Sequence, residues 1–141
     1  MKKLVALLSF LWLSTAVGQE CKVQEGYASW YGGRFHGRKT SSGEVFNKHK
    51  YTAASRKYKL GTYLLVKNLS NGQEVTVIVT DRGPRIKSRI IDLSKSAAEK
   101  LGFVKQGVAL VQIVPLQCAL NADGVSEEYH EEVIKDLLNT L

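Results

Sequence analysis

The 141 residues carry 20 Lys+Arg against 13 Asp+Glu, are 44% hydrophobic and include two Cys and two Pro. A chain of this length and apolar content can bury one core of ordinary size, and its moderate charge is typical of folded proteins. Beyond Glu20 no apolar run approaches the roughly 18 residues needed to cross a bilayer. A polytopic membrane protein, a collagen-like chain and a disulfide-dense miniprotein are excluded.

At the N-terminus, Lys2 and Lys3 precede an apolar run from Leu4 to Leu13, followed by the small residues of Ser14 to Gly18. A basic start, a short greasy stretch and small residues before a cut after Gly18 describe a secretory signal peptide over residues 1–18. The run is short for a membrane anchor, and the mature form is expected to have no stable membrane span. Lipidation at Cys21 is disfavoured, because the bulky, charged Glu20 precedes it where a small residue is needed. The expected location is outside the cytoplasm, periplasmic or secreted. In an oxidising compartment Cys21 and Cys118 are expected to form one disulfide. Closing a loop of about a hundred residues stabilises a fold by about 4–5 kcal/mol in the chain-entropy model. With only His36, His49 and His130 beside them, these cysteines have no metal-site spacing; neither zinc nor any other cofactor is expected.

Charge divides the rest of the chain. Gln19 to Cys118 holds 17 Lys+Arg and seven Asp+Glu, whereas Ala119 to Leu141 holds one Lys and six acids. The break places a globular domain at 19–118 and an acidic appendage at 119–141.

Local patterns inside the domain are mostly β. Tyr63 to Leu69 and Gln73 to Thr80 are apolar and β-branched runs, and Asn71-Gly72 between them is a hairpin signal. Gly107 to Leu116 reads as a strand buried on both faces; Tyr27 to Tyr31 and Arg89 to Leu93 are shorter strands. One helix is expected, with Ser94 as its cap, Ala97 to Lys100 in its body and Gly102 as its stop. Many short strands with Gly-rich turns and a single helix predict a small closed barrel. The tail from Ser126 reads as an amphipathic helix, with Tyr129, Val133, Leu137 and Leu141 in one stripe beside Ile134 and Leu138. That stripe packs on the barrel or a neighbour, or else receives a protein partner.

Asp81 follows a strand in Asp81-Arg82-Gly83-Pro84, and Asp92 leads into the helix in Ile91-Asp92-Leu93-Ser94. Both stand at junctions, where a rigid scaffold can present a side chain to a groove. Equally, Asp81 can bind its own turn amides and Asp92 can order the helix entry. These strings occur in one order with Ala28-Ser29-Trp30-Tyr31-Gly32, Phe35-His36-Gly37-Arg38, Thr40-Ser41-Ser42-Gly43-Glu44, Leu60-Gly61-Thr62 and Gly107-Val108-Ala109. The series, over about residues 25–116, resembles the rare lipoprotein A (RlpA) family of double-psi β-barrel proteins.

The resemblance implies a mainly β fold, a six-stranded double-psi β-barrel related to expansins, to which the tail adds a C-terminal amphipathic helix. It also implies lytic cleavage of peptidoglycan glycan strands, preferably strands lacking stem peptides, to 1,6-anhydro ends. In that chemistry one carboxyl group protonates the leaving oxygen and then takes the proton of the sugar's own C6 hydroxyl, so no second carboxylate is needed to activate water. Asp81, Asp92 and Glu44 are the catalytic candidates, with Asp81 slightly favoured. The substrate-binding candidates are Trp30 and Tyr31 for sugar stacking, Arg38 and Arg82 for polar groups, Ser55 and His49. Trp30 and Tyr31 fit half-buried barrel packing equally well, and Arg82 fits a structural bridge. Two positions depart from the family pattern: Ser55 stands where relatives commonly have His, and Arg85 follows the DRGP string where they tend to have an aromatic residue. His49 is the imidazole nearest in sequence to the missing one.

The alternative function is a non-catalytic, expansin-like module that binds wall polysaccharide with the same groove. A nucleic-acid partner is not expected, since the basic charge comes with no nucleic-acid motif.

Overall fold

The computed structural model describes residues 21–141, so the expected signal peptide lies outside the described residues. Six strands close into a barrel: β1 (Gln24–Trp30), β2 (Thr52–Ala54), β3 (Tyr63–Asn68), β4 (Glu74–Asp81), β5 (Arg89–Leu93) and β6 (Val108–Pro115), in the order β1-β5-β2-β4-β3-β6. The expected barrel class is observed. Two pairs are parallel, β1 with β5 and β2 with β4, and the others run antiparallel.

The β3–β4 hairpin forms where Asn71-Gly72 predicts it. Gly72 takes a φ of 76°, which an L side chain resists, and the Asn68 N–H closes the turn on the Gln73 carbonyl at 2.8 Å. Alternation on β4 sends Val75, Val77 and Val79 inward, where they meet Leu64 and Val66 of β3, Ile91 and Leu93 of β5, and Val111 and Ile113 of β6. The helix α1 (Lys95–Leu101) begins with the Ser94 Oγ accepting from the Ala97 N–H and ends on Gly102 at φ 76°. It plugs one end of the barrel with Ala97, Ala98 and Leu101, all fully buried.

Three features differ from the sequence expectation. β6 alternates between buried and partly exposed positions and is not buried on both faces; its apolar outward positions are unexceptional on a small barrel with limited polar surface. The three-residue β2 was not expected, because so short a run carries no period and is a strand only through pairing on both edges. A further helix, α2 (Leu116–Leu120), follows Pro115 and runs across the expected boundary at 118/119. Inside it Cys118 is bonded to Cys21, with Cα atoms 5.6 Å apart, so the expected disulfide is present.

The tail forms α3 (Glu127–Leu138), capped by the Ser126 Oγ on the Tyr129 N–H at 3.1 Å. The helix packs on β4. Strand β2 covers β4 only from Ile78 onward, and in the uncovered half the Thr76 N–H donates to Asp136 Oδ2 at 2.8 Å. Asp136 is buried there beside Val133 and also meets the Lys100 ammonium of α1, which pairs with Glu132 at 2.8 Å. The stripe is therefore split. Val133 is buried and Tyr129 and Leu137 half-buried, while Ile134, Leu138 and Leu141 remain exposed. Among the described residues, no helix is long and apolar enough to cross a membrane.

Candidate active site

Parallel pairing of β2 with β4 brings the C-terminal ends of both strands to one end of the barrel, the end at which the antiparallel β5 begins. Ala54 has Asp81 of β4 as its partner on one side and Asp92 of β5 on the other. In the next strand Ser29 of β1 is in register with Asp92. Ser29, Asp92, Ala54 and Asp81 thus form a row across four neighbouring strands. The two acids stand two strand spacings apart, about 9–10 Å at the backbone.

The two carboxyls have different surroundings. Asp81 Oδ1 accepts three hydrogen bonds: from Ser41 Oγ at 2.6 Å, Ser41 N–H at 3.1 Å and Arg82 N–H at 2.8 Å. Two come from the 40–44 loop and one from its own turn, so Asp81 is a fixed acceptor that also ties that loop to the strand end. Asp92 has one side-chain partner, the Ser29 hydroxyl at 3.2 Å. Burial raises the Asp92 carboxyl to about 6, opposed by the Ser29 hydrogen bond and the nearby Arg89 charge and reinforced by the charge of Asp81. A carboxyl that retains its proton near neutral pH can donate it.

Tyr31 lies beside this pair. Its phenol is held well above its ordinary value, first by burial and next by the negative charge of Asp92. The ring packs on Phe46, with centroids 4.6 Å apart, and edge-on to Phe35 at 6.0 Å. Tyr31 Oη is buried facing Thr52 Oγ1 and Thr80 Oγ1, and among the described residues none of the three hydroxyls makes a hydrogen bond of good geometry. A void of about 20 Å³ lies against Thr52 and Thr80, walled also by Thr40, Glu44 and Phe46. Buried hydroxyls are normally satisfied, so this group beside two acids, with space against it for about one water, has unmet hydrogen-bonding capacity.

The other expected residues are placed as follows. Glu44 is exposed on the 40–44 loop, with its backbone tied to Thr40 and Ser42; among the described residues its carboxyl makes no hydrogen bond or ion pair. Trp30 is half-buried against the core and donates from Nε1 to the Val104 carbonyl at 3.2 Å. Arg82 donates to the Ser55 and Tyr58 carbonyls at 3.0 and 2.6 Å. Ser55 is buried and turned to its own loop, its Oγ accepting from the Lys57 and Tyr58 N–H groups. His49 stacks edge-on to His36, with centroids 5.8 Å apart, and Arg38 is exposed. Asp81, Asp92 and Tyr31 are brought together, and the remaining candidates are arranged around them or elsewhere. Ser29, Thr52 and Thr80 join the site beyond the sequence expectation: Ser29 lies within the Ala28-Ser29-Trp30-Tyr31-Gly32 string, whereas the two threonines carry no sequence signal. Among the described residues no group of three or more His, Cys, Asp or Glu could hold a metal ion.

The family model for lytic transglycolase matches residues 23–113. A probable endolytic peptidoglycan transglycosylase RlpA of Aquifex aeolicus is 55% identical over 97 residues, covering 69% of this chain and 43% of that protein. An endolytic peptidoglycan transglycosylase RlpA of Neisseria meningitidis is 57% identical over 104 residues, covering 72% and 44%. The chain spans less than half the length of these two relatives. Among solved structures, a Streptomyces papain inhibitor aligns with a TM-score of 0.54 at 22% identity, covering 70% of this chain and 97% of that one. A Clavibacter michiganensis expansin in complex with cellohexaose aligns with a TM-score of 0.55 at 20% identity, covering 67% and 50%. At such identities these likenesses speak for the fold alone. The sequence and family matches, carried on a closed six-stranded barrel, show that the chain belongs to the RlpA-like double-psi β-barrel family.

Proposed function

We propose that the protein is an exported peptidoglycan lytic transglycosylase acting on glycan strands, preferably strands lacking stem peptides. The observation that carries this reading is the pairing of a half-buried Asp92, with its pKa raised to about 6, and a hydrogen-bonded Asp81 across Ala54. Asp92 is the acid and then the base. Its proton goes to the glycosidic oxygen as the bond from the muramoyl C1 to that oxygen breaks. The C6 hydroxyl of the same sugar then attacks C1 and returns a proton to Asp92, closing the anhydro ring. Asp81 stabilises the positive charge that develops at the anomeric carbon. The sequence favours Asp81 slightly as a catalytic residue and leaves the general acid open between the two; burial favours Asp92 for that role. Tyr31, Thr52 and Thr80 supply hydroxyls to the bound sugar, and Glu44, Arg38, Trp30, Arg82, Ser55 and His49 border or support the groove.

The Cys21–Cys118 disulfide supports an oxidising compartment, periplasmic or secreted. The domain is assigned to 19–118, preceded by a signal peptide at 1–18 and followed by the acidic helical tail at 119–141.

Mass spectrometry of purified glycan strands after incubation with the protein tests the activity. Products with 1,6-anhydro ends, absent with Asp92→Asn, are expected. Intact strands that nevertheless bind the wild type would move the protein to the expansin-like binding class.

A further inference from the structure

The loops that leave the ends of β2 and β4, beside the acid row, are cross-tied by two arginines. Arg56, in the loop after β2, donates to the carbonyls of Pro84, Ile86 at 3.5 Å, Lys87 at 3.5 Å and Arg89 at 2.8 Å, all in the segment after β4. Arg82, in that segment, donates in return to the Ser55 and Tyr58 carbonyls of the first loop. Each guanidinium is spent on the backbone of the other loop, so the two move as one piece. The remaining cations of that piece are differently disposed. Lys57, Lys59, Arg85 and Lys87 are exposed, and none forms an ion pair among the described residues. Lys57 lies over the Tyr58 ring, 5.8 Å from its centroid. Four unpaired cations gathered on a braced rim cost self-repulsion, which an anionic ligand relieves. Bracing removes part of the ordering cost of binding.

We propose that Arg85 and Lys87, with Lys57 and Lys59 beside them, read the lactyl carboxylates of the glycan strand and so select strands whose stem peptides have been removed. The inference rests on the lytic reading for the identity of the strand. The sugar rings of such a strand are neutral, and the lactyl group of each muramoyl residue supplies its repeating anion. A stem peptide converts that carboxylate to an amide and adds bulk at the same point. A rim of cations next to the acid row therefore gains most from the stripped strand.

The experiment uses the full chain carrying Asp92→Asn, so that binding is scored without turnover. End-labelled strands stripped of peptide are compared with the same strands after their carboxyls have been converted to methylamides, at low and high salt, with inorganic polyphosphate as a third ligand. The stripped strands are expected to bind about tenfold more tightly than the amidated ones at low salt, a difference that shrinks as salt screens the rim. In Arg85→Gln/Lys87→Gln the preference collapses, while affinity for the amidated strands changes by less than about twofold. Equal affinity of the parent for both strands would overturn the proposal. So would a preference that survives neutralising all four cations, or polyphosphate binding as tightly as the strands through the same residues. The lytic reading fails separately, on the absence of anhydro products from the wild type.

Discussion

Asp81 and Asp92 sit on strands that flank β2, and each has Ala54 as its partner in register. One is held by three donors, while the other is half-buried with a single hydroxyl partner. Two carboxyls of one residue type are thereby made unequal by their surroundings alone, which is how an acid and a fixed negative charge are obtained from a pair of aspartates.

The first consequence is a pH profile. With the Asp92 pKa raised to about 6, the protonated form needed to start the reaction is lost as pH rises through that value. kcat/KM for glycan cleavage is expected to fall above about pH 6, by about tenfold per pH unit once well past it. Asp92→Asn should leave less than about 1% of the activity. A flat profile from pH 5 to 8 would remove Asp92 as the acid.

The same shift couples to stability with a definite sign. The folded-state pKa of Asp92 lies above the ordinary 3.8, so the folded state holds the proton more tightly and stability is lost as pH rises from about 4 to 6. Asn keeps the size and can still accept from Ser29, without the buried charge. Asp92→Asn is therefore expected to be more stable than the wild type by about 1–3 kcal/mol above pH 7, with the difference vanishing near pH 3. Urea midpoints at the two pH values read it directly.

The disulfide joins the chain before β1 to the helix after β6 and so encloses all six strands. Reduction, or Cys118→Ser, should cost about 2–5 kcal/mol because the unfolded chain regains its freedom. Denaturant unfolding with and without reductant measures this. A loss under 1 kcal/mol would mean that the unfolded chain gains little from opening the loop.

The acidic tail is a brace, and its anchor is Asp136. Asp136→Ala strands the Thr76 N–H and leaves Lys100 with Glu132 alone. Lys100 is partly exposed, so the expected loss is about 1–3 kcal/mol, less than for a fully buried pair. Asp136→Asn, which keeps an acceptor for Thr76, should lose less than half of that. A chain ending at Cys118 is expected to keep a cooperative transition at a lower midpoint, because the core strands and both cysteines remain.

What could be read from the sequence was local or carried by motifs. The Asn71-Gly72 turn and the Ser94 and Gly102 caps act within a few residues, so their chemistry is written in order along the chain. Asp81 and Asp92 were legible because each stands in a recognisable string. Strand β2 was not, since Thr52 to Ala54 become a strand only through neighbours from β4 and β5. The Arg56–Arg82 cross-tie was equally hidden: it joins side chains to carbonyls 24 to 33 residues away, and a carbonyl has no sequence signature. Nor could the weighting of Asp92 over Asp81 be read, because it arises from burial.

The unpartnered hydroxyls give the last test. Leaving a hydroxyl buried without a partner costs roughly 1–3 kcal/mol, and a protein retains such groups where function uses them. Tyr31→Phe removes the Oη and keeps the ring that packs on Phe46 and Phe35. If the hydroxyl waits for a sugar, the variant should match or exceed the wild type in stability, by up to about 1–2 kcal/mol, yet cleave glycan at least about tenfold more slowly. Thr80→Val should behave in the same way, since it too loses only an unpartnered oxygen. Stability lost together with activity would instead show that these hydroxyls hold an internal water and serve the fold. Thermal melts and product analysis on the same preparations separate the two outcomes, because a group retained for substrate and a group retained for packing move stability in opposite directions.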